Sequence, residues 1–293
     1  MHEESRRSFV RLGTAAGLGA GALAAGAALA LNPQRAAAQA RPASLLRRVL
    51  DRGKVLVGTG STNAPWHFED DRGTLTGMDV AMARIVAKGL FDDETKIEFT
   101  RQDAAQRIPN IVTGKVDITI QFMTVTPQRG QLVAFTRPYF LEQMALMTRA
   151  DASTSFEALL AAGNRTRISI LQNVDAESLI RKVLPQAQVL QLDTLGNVVQ
   201  ALEARRVEAA SLSLSAVRYL SRRNPGRYAD AGKTWYGQLY AAAVPQGDPD
   251  WLNFVNTAFD AAIFGHQSDI YDGALREYFG LQLPERPPGL PPF

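Results

Sequence analysis

Lys54-Val55-Leu56-Val57-Gly58, Gly77-Met78-Asp79-Val80 and Val116-Asp117-Ile118-Thr119-Ile120 decide the architecture of this chain. The first is a short β-rich run that ends in a turn cluster, Thr59 to Asn63. The second opens a helix. Asp79 is expected to cap its free N–H groups, and Val80, Ala83, Ile85, Val86 and Leu90 supply the apolar positions. Lys96 to Thr100 reads as a second strand. Arg107 to Thr113 reads as a helical segment that begins near Pro109. The third quoted run is the next strand. This βαβαβ rhythm implies a parallel sheet with helices on both faces.

The rhythm then restarts. Arg167 to Leu171, Val189 to Leu192 and Glu208 to Leu214 read as strands, separated by helices over Ala176 to Leu184 and Leu195 to Arg205. Gln143 to Thr148 reads as a β connector between the halves, and Gln238 to Val244 as a second one after them. The last helices, Trp251 to Phe264 and Ile270 to Phe279, need a sheet to cover. A return of the chain to the first half through the second connector supplies one. The expected α/β layout is two lobes, each a sheet flanked by helices, joined by two hinge strands with a cleft between them. The first lobe takes residues 41–143 and 238–283, and the second takes 144–237. Five prolines in residues 284–293 give an extended tail.

The 293 residues are 46% hydrophobic and 21% charged, enough apolar content for a core and too ordered a composition for a disordered chain. The net charge of +3 is too balanced for a nucleic-acid partner. No cysteine is present, which excludes disulfides, thiolate metal sites, a cysteine nucleophile and a lipid anchor on cysteine. The three histidines, His2, His67 and His266, are far apart, so no metal centre is expected, and no cofactor is implied.

Residues 1–40 read as an export leader. Arg6-Arg7-Ser8-Phe9-Val10 resembles a twin-arginine motif, Leu12 to Leu31 is apolar, and Ala38-Gln39-Ala40 is a cleavage site. A run of about 20 apolar residues is long enough to span a bilayer. Gly17, Gly19, Gly21 and Gly26, followed by the cleavage site, argue for a cleaved leader instead. Cleavage after Ala40 removes four arginines and two glutamates, leaving 28 basic against 27 acidic residues. The expected product is a soluble, periplasmic, nearly neutral monomer.

Several further stretches carry a resemblance. They are Lys54 to Thr59, Ala64-Pro65-Trp66-His67-Phe68, Leu75 to Val80, Gly114 to Ile118, Met123-Thr124-Val125-Thr126-Pro127-Gln128-Arg129, and Val133 to Phe140. With these, the chain resembles the family 3 periplasmic solute-binding proteins that feed polar amino acids to ABC transporters, from about Leu46 to Phe279. The resemblance implies the type II periplasmic-binding-protein fold, a small-molecule ligand and ABC permease subunits as partners. It implies that Arg129 grips a ligand α-carboxylate, with Thr124 adding a hydroxyl and an N–H. A guanidinium suits that task because its planar fork matches a carboxylate and stays charged when buried. Trp66 stands where the family places an aromatic wall, and Asn63 where a tyrosine is common. Gln121 and Phe122 replace small residues beside the cleft, and Met123 is counted with them.

Gln106-Arg107-Ile108-Pro109 and Gly89 to Lys96 resemble the glutamate- and aspartate-binding branch, where Arg107 can meet a side-chain carboxylate. In the second lobe Gln172, Asn173, Val174 and Asp175 stand in place of a glycine-containing ligand loop. Ser213 stands where the family carries an amine-binding aspartate. Either Asp175 replaces that charge or the ligand lacks an α-amine, because a buried ammonium without a carboxylate is costly. The expected function is binding, with no catalytic residues: capture of an acidic or polar amino acid, or of an amine-free dicarboxylate or organic acid. The rival is an exported dehydratase on the same scaffold. It would need a general acid from Asp175, Glu142 or Asp103, which form no recognisable catalytic constellation.

Overall fold

The computed structural model describes residues 44–152, 154–172 and 175–283. The leader (1–40), the proline-rich tail (284–293), Asn173 and Val174 lie outside the described residues.

The chain opens with α1 (Leu45–Arg52) and β1 (Val55–Thr59). A small antiparallel sheet of β2 (Thr62–Asn63), β3 (His67–Glu69) and β4 (Leu75–Thr76) follows. Then come α2 (Met78–Phe91), β5 (Ile97–Arg101), α3 (Arg107–Val112), β6 (Ile118–Thr124), α4 (Pro127–Gly130) and β7 (Ala134–Phe135). The long β8 (Phe140–Arg149) leads to α5 (Phe156–Ala162), β9 (Arg167–Leu171), α6 (Ala176–Arg181), β10 (Gln188–Leu192), α7 (Leu195–Glu203), β11 (Ala209–Ser213) and α8 (Leu214–Arg223). The 17-residue β12 (Tyr228–Val244) carries the chain on to α9 (Pro249–Ile263) and α10 (Asp269–Ala274), and a π-helical turn over Leu275–Phe279 follows.

Both expected βαβ halves form. β1 pairs in parallel with β5 and β6, and β9 pairs in parallel with β10 and β11. β8 and β12 are antiparallel to each other from Tyr228↔Arg149 to Tyr240↔Phe140. They join the two sets into one continuous path, β10-β9-β11-β8-β12-β6-β1-β5. The connectors are therefore longer than the apolar runs that announced them. Pairing along the partner strand extends β structure through polar residues such as Asp230 and Thr234.

Side-chain alternation sorts the core. One apolar cluster joins Val57, Met82, Ile118, Trp251 and Phe259 from residues at the two ends of the chain. Two others come from the middle of the chain and lie on the two faces of β11. Ala210 and Leu212 join Val198 and Val217 on one face, and Ala209 joins Leu146, Ile168 and Ile180 on the other. These separate cores bear out the two-lobed α/β fold class.

Three local expectations are corrected. Asp79 does not cap α2. The cap residue is Gly77 at φ 119°, with no side-chain bond, and Asp79 is fully buried at the second position of the helix. The strand expected over Val116 to Ile120 runs from Ile118 to Thr124, because Val116 packs with Ile111 and Val133 before the ladder begins. The strand expected over Glu208 to Leu214 runs from Ala209 to Ser213, because Ser213 caps α8, a helix the sequence reading did not assign, which begins at Leu214. α8 is an amphipathic helix whose buried residues include Ala216, Val217 and Tyr219.

Candidate functional site

A cavity of about 220 Å³ lies at the carboxyl ends of β6, β9 and β11 and along β12. At about 30 Å³ per liquid water it holds roughly seven waters, the volume of a small metabolite.

Two arginines face it. Arg107, on the first turn of α3, is 8% exposed. Its Nε donates to the Ala104 carbonyl at 3.1 Å and its Nη1 to the Gln121 carbonyl at 3.2 Å. Arg129 sits in α4. Thr126, the cap of that helix, accepts from the Arg129 N–H at 3.3 Å, and Arg129 Nη1 donates to the Thr124 carbonyl at 2.8 Å. A guanidinium has five N–H donors. Backbone carbonyls therefore fix both groups and leave most donors for the cavity. Neither arginine pairs with a carboxylate among the described residues. Burial, and then the Arg129 charge, pull Arg107 down to about 10, still protonated at neutral pH.

A bulge in β6 aims the wall between them. The register against β12 slips between Ala241 and Ala243, and Phe122 takes a φ of 31°. That conformation is strained for a residue with a side chain. Asp79 holds it. Its buried carboxylate accepts from Phe122 N–H at 2.9 Å, Tyr139 O–H at 2.7 Å and His67 Nδ1 at 2.7 Å. His67 stacks on Phe122 with ring centroids 4.7 Å apart and 11° between planes. A side chain at Gly60 would meet His67 Cδ2 at 2.5 Å, so the dyad needs glycine there. Behind Arg107, Gln102 donates to Gln121 Oε1 at 3.0 Å and accepts from Asn110 at 2.7 Å.

The floor is neutral. Thr124 Oγ1 donates to Gln238 Oε1 at 2.9 Å. Gln238 Nε2 and Ser211 Oγ are buried without a partner. Ser213 caps α8, accepting from Ala216 N at 3.3 Å, and its hydroxyl lies 3.1 Å from that of Ser215. Trp66 lines the cavity yet is only 2% exposed. Its rings meet Phe140, Tyr240 and Phe279 at 4.9, 5.1 and 5.2 Å, and its indole N–H donates to Ser215 Oγ at 3.1 Å. Ser215 in turn donates to the buried Glu142, whose carboxyl is pushed up by desolvation.

Asn63, Trp66, Arg107, Gln121 and Phe122 all reach this one cavity. So do Thr124, Arg129, Gln172, Asp175 and Ser213. Met123 does not. It is 1% exposed and packs with Ile111, Val116 and Val133, because alternation after the bulge turns it to the opposite face from Thr124. Among the described residues no group of histidine, aspartate and glutamate side chains is placed to hold a metal ion, and no helix is long and apolar enough to cross a membrane.

Residues 55–280 match the family model of bacterial extracellular solute-binding proteins, family 3. The chain belongs to that family. This family 3 binding protein is 28% identical to the glutamine-binding protein of Geobacillus stearothermophilus over 61% of its own length and 68% of that protein. It is 27% identical to the L-cystine-binding protein TcyJ of Escherichia coli (strain K12), over 73% of its own length and 79% of that protein. Among solved structures it resembles the ancestral amino acid-binding protein AncCDT-1, a precursor of cyclohexadienyl dehydratase. The TM-score is 0.67 at 26% identity, covering 81% of this chain and all of that one. Such proteins are extracytoplasmic substrate-binding components of amino-acid ABC transporters.

Sequence reading of this family 3 protein missed Gln238, Ser211 and Met144 at the cavity. Gln238 carried a signal, as the one polar residue in that β run other than Tyr240. Ser211 and Met144 carried none, since each reads as an ordinary strand position.

Proposed function

We propose that this protein captures a small dicarboxylate, an acidic amino acid or the same skeleton without an amine, by closing two lobes over it, and delivers it to an ABC permease. The observation that carries this is the pair of carbonyl-anchored guanidiniums, Arg107 and Arg129, on one cavity without a carboxylate partner. Arg129 takes one ligand carboxylate together with Thr124, and Arg107 takes the other. Charge-assisted hydrogen bonds contribute about 1.5–3 kcal/mol each. A few of them reach the roughly −8 kcal/mol of micromolar affinity. Trp66, Asn63, Gln121, Phe122, Gln172 and Asp175 complete the wall. In this reading the lobes divide at residues 143/144 and 237/238 along β8 and β12, and the Trp66–Ser215 bond is one contact between their side chains. Export by the twin-arginine route, cleavage after Ala40, a periplasmic location and a monomeric state complete the reading.

The test is a thermal-shift panel of the 20 L-amino acids and the four- to six-carbon dicarboxylates on purified protein. A dicarboxylate should stabilise the wild type, and Arg129→Ala should lose every response. A ligand response retained in Arg129→Ala refutes the grip. Binding without turnover is favoured because the acids that line the cavity, Asp103, Asp175 and Asp193, are all solvent-exposed. A cyclic dienyl acid incubated with the protein should keep its ultraviolet absorbance.

A further inference from the structure

The two arginines account for a ligand's carboxylates and leave the neutral floor unexplained. Gln238 is 7% exposed and Ser211 is 1% exposed. Both line the cavity, and Gln238 Nε2 and Ser211 Oγ have no partner. Buried polar atoms without partners are rare in native proteins, and those that line a cavity are open to a ligand's polar groups. Their place is informative. Gln238 is one hydrogen bond from Thr124, and the Thr124 carbonyl anchors Arg129. The unpartnered amide therefore sits beside the carboxylate that Arg129 would hold, at the substituent on the adjacent carbon.

An ammonium does not suit that position. It has three donors and no acceptor, so it cannot take a hydrogen bond from Nε2. Its charge would face an amide and hydroxyls, while the nearest buried carboxyl, Glu142 opposite Gln238 in the β ladder, does not line the cavity and already accepts from Ser215 and the Gln143 N–H. An uncharged oxygen suits it. An oxo group accepts from Nε2, and a hydroxyl accepts or donates whichever way the amide is turned. Ser211 and Ser213 add hydroxyls that serve the same oxygen chemistry. We propose that the ligand is a 2-hydroxy or 2-oxo dicarboxylate, with Gln238 as the residue that reads its oxygen. This rests on the carboxylate grip of Arg129 and Arg107 proposed above.

Isothermal titration of the mature protein with two matched sets tests it. The five-carbon set is L-glutamate, 2-oxoglutarate, 2-hydroxyglutarate and glutarate. The four-carbon set is L-aspartate, L-malate and succinate. Within one set the oxygenated acid should bind about tenfold or more tighter than both the amino acid and the unsubstituted diacid. Gln238→Leu should erase the advantage of the oxygenated acid over the unsubstituted diacid. The wild-type ranking decides by itself if the variant fails to fold. An amino acid as the tightest ligand, or no gain from oxygen over the bare diacid, overturns the proposal. If Arg129→Ala abolishes the binding that is seen, the function proposed above stands without it. No binding of any carboxylate overturns both.

Discussion

Removing the Asp79 carboxylate should cost more than any other single change near the cavity. Asp79 is fully buried and accepts three hydrogen bonds, from His67 Nδ1 at 2.7 Å, Tyr139 O–H at 2.7 Å and Phe122 N–H at 2.9 Å. Asp79→Ala strands three buried donors. Each stranded group costs about 1–3 kcal/mol, giving roughly 3–9 kcal/mol in all. Water entering the vacated space recovers part of this, so the expected loss is the lower half of that range, about 3–6 kcal/mol. For a chain of this size each kcal/mol lowers Tm by about 2–4 °C. Urea unfolding followed by circular dichroism, with calorimetry alongside, measures both quantities. The loss is a large fraction of a typical total stability of about 5–15 kcal/mol, so Asp79→Asn is the companion variant. Its one remaining acceptor should place it between wild type and alanine. Ligand affinity should fall as well, since Phe122 at φ 31° and the Gln121 carbonyl under Arg107 both depend on the bulge that Asp79 holds. A loss under about 1 kcal/mol in Asp79→Ala would refute the argument.

Gly77→Ala should destabilise by about 1–3 kcal/mol or more in urea, because φ is 119° and a Cβ would lie 2.4 Å from the Trp66 carbonyl oxygen. Arg107→Lys should weaken ligand binding about tenfold or more by calorimetric titration, since one ammonium cannot hold the Ala104 and Gln121 carbonyls and also present a fork to the cavity. Glu142→Gln should change the pH dependence of stability. Desolvation raises the folded carboxyl above its ordinary value of 4.5, so its contribution is full below that value and is lost as pH rises through the folded pKa. Wild type should therefore lose stability relative to Glu142→Gln as pH is raised from about 4.5 upward, and a flat difference across pH 4 to 8 would sink the assignment.

Most strands were legible because their apolar runs coincide with their hydrogen-bonded lengths. Arg167–Leu171 is the case in point, with the same bounds in both readings. The hidden parts are those that depend on partners distant in sequence. Asp79 reads as a helix cap until Tyr139 and the Phe122 amide converge on it from about 40 to 60 residues away. Met123 reads as a neighbour of Thr124 and only the bulge assigns its face. The arginines were legible because a motif surrounds them. The orphaned atoms of Gln238 and Ser211 were not, since an unmet hydrogen bond is a property of three-dimensional surroundings and leaves no trace in spacing.

The ring cage around Trp66 gives the molecule an optical reporter. Of the three tryptophans, Trp66 alone lines the cavity, while Trp251 is fully buried with its N–H on the Asp117 carbonyl and Trp235 has its own on the Leu179 carbonyl. The other two indoles lie outside the cavity. Trp66 contributes light whose colour and yield depend on four neighbouring rings and on the Ser215 hydroxyl. Any molecule that enters the cavity alters that environment, so occupancy is readable from the intrinsic fluorescence of the unlabelled protein.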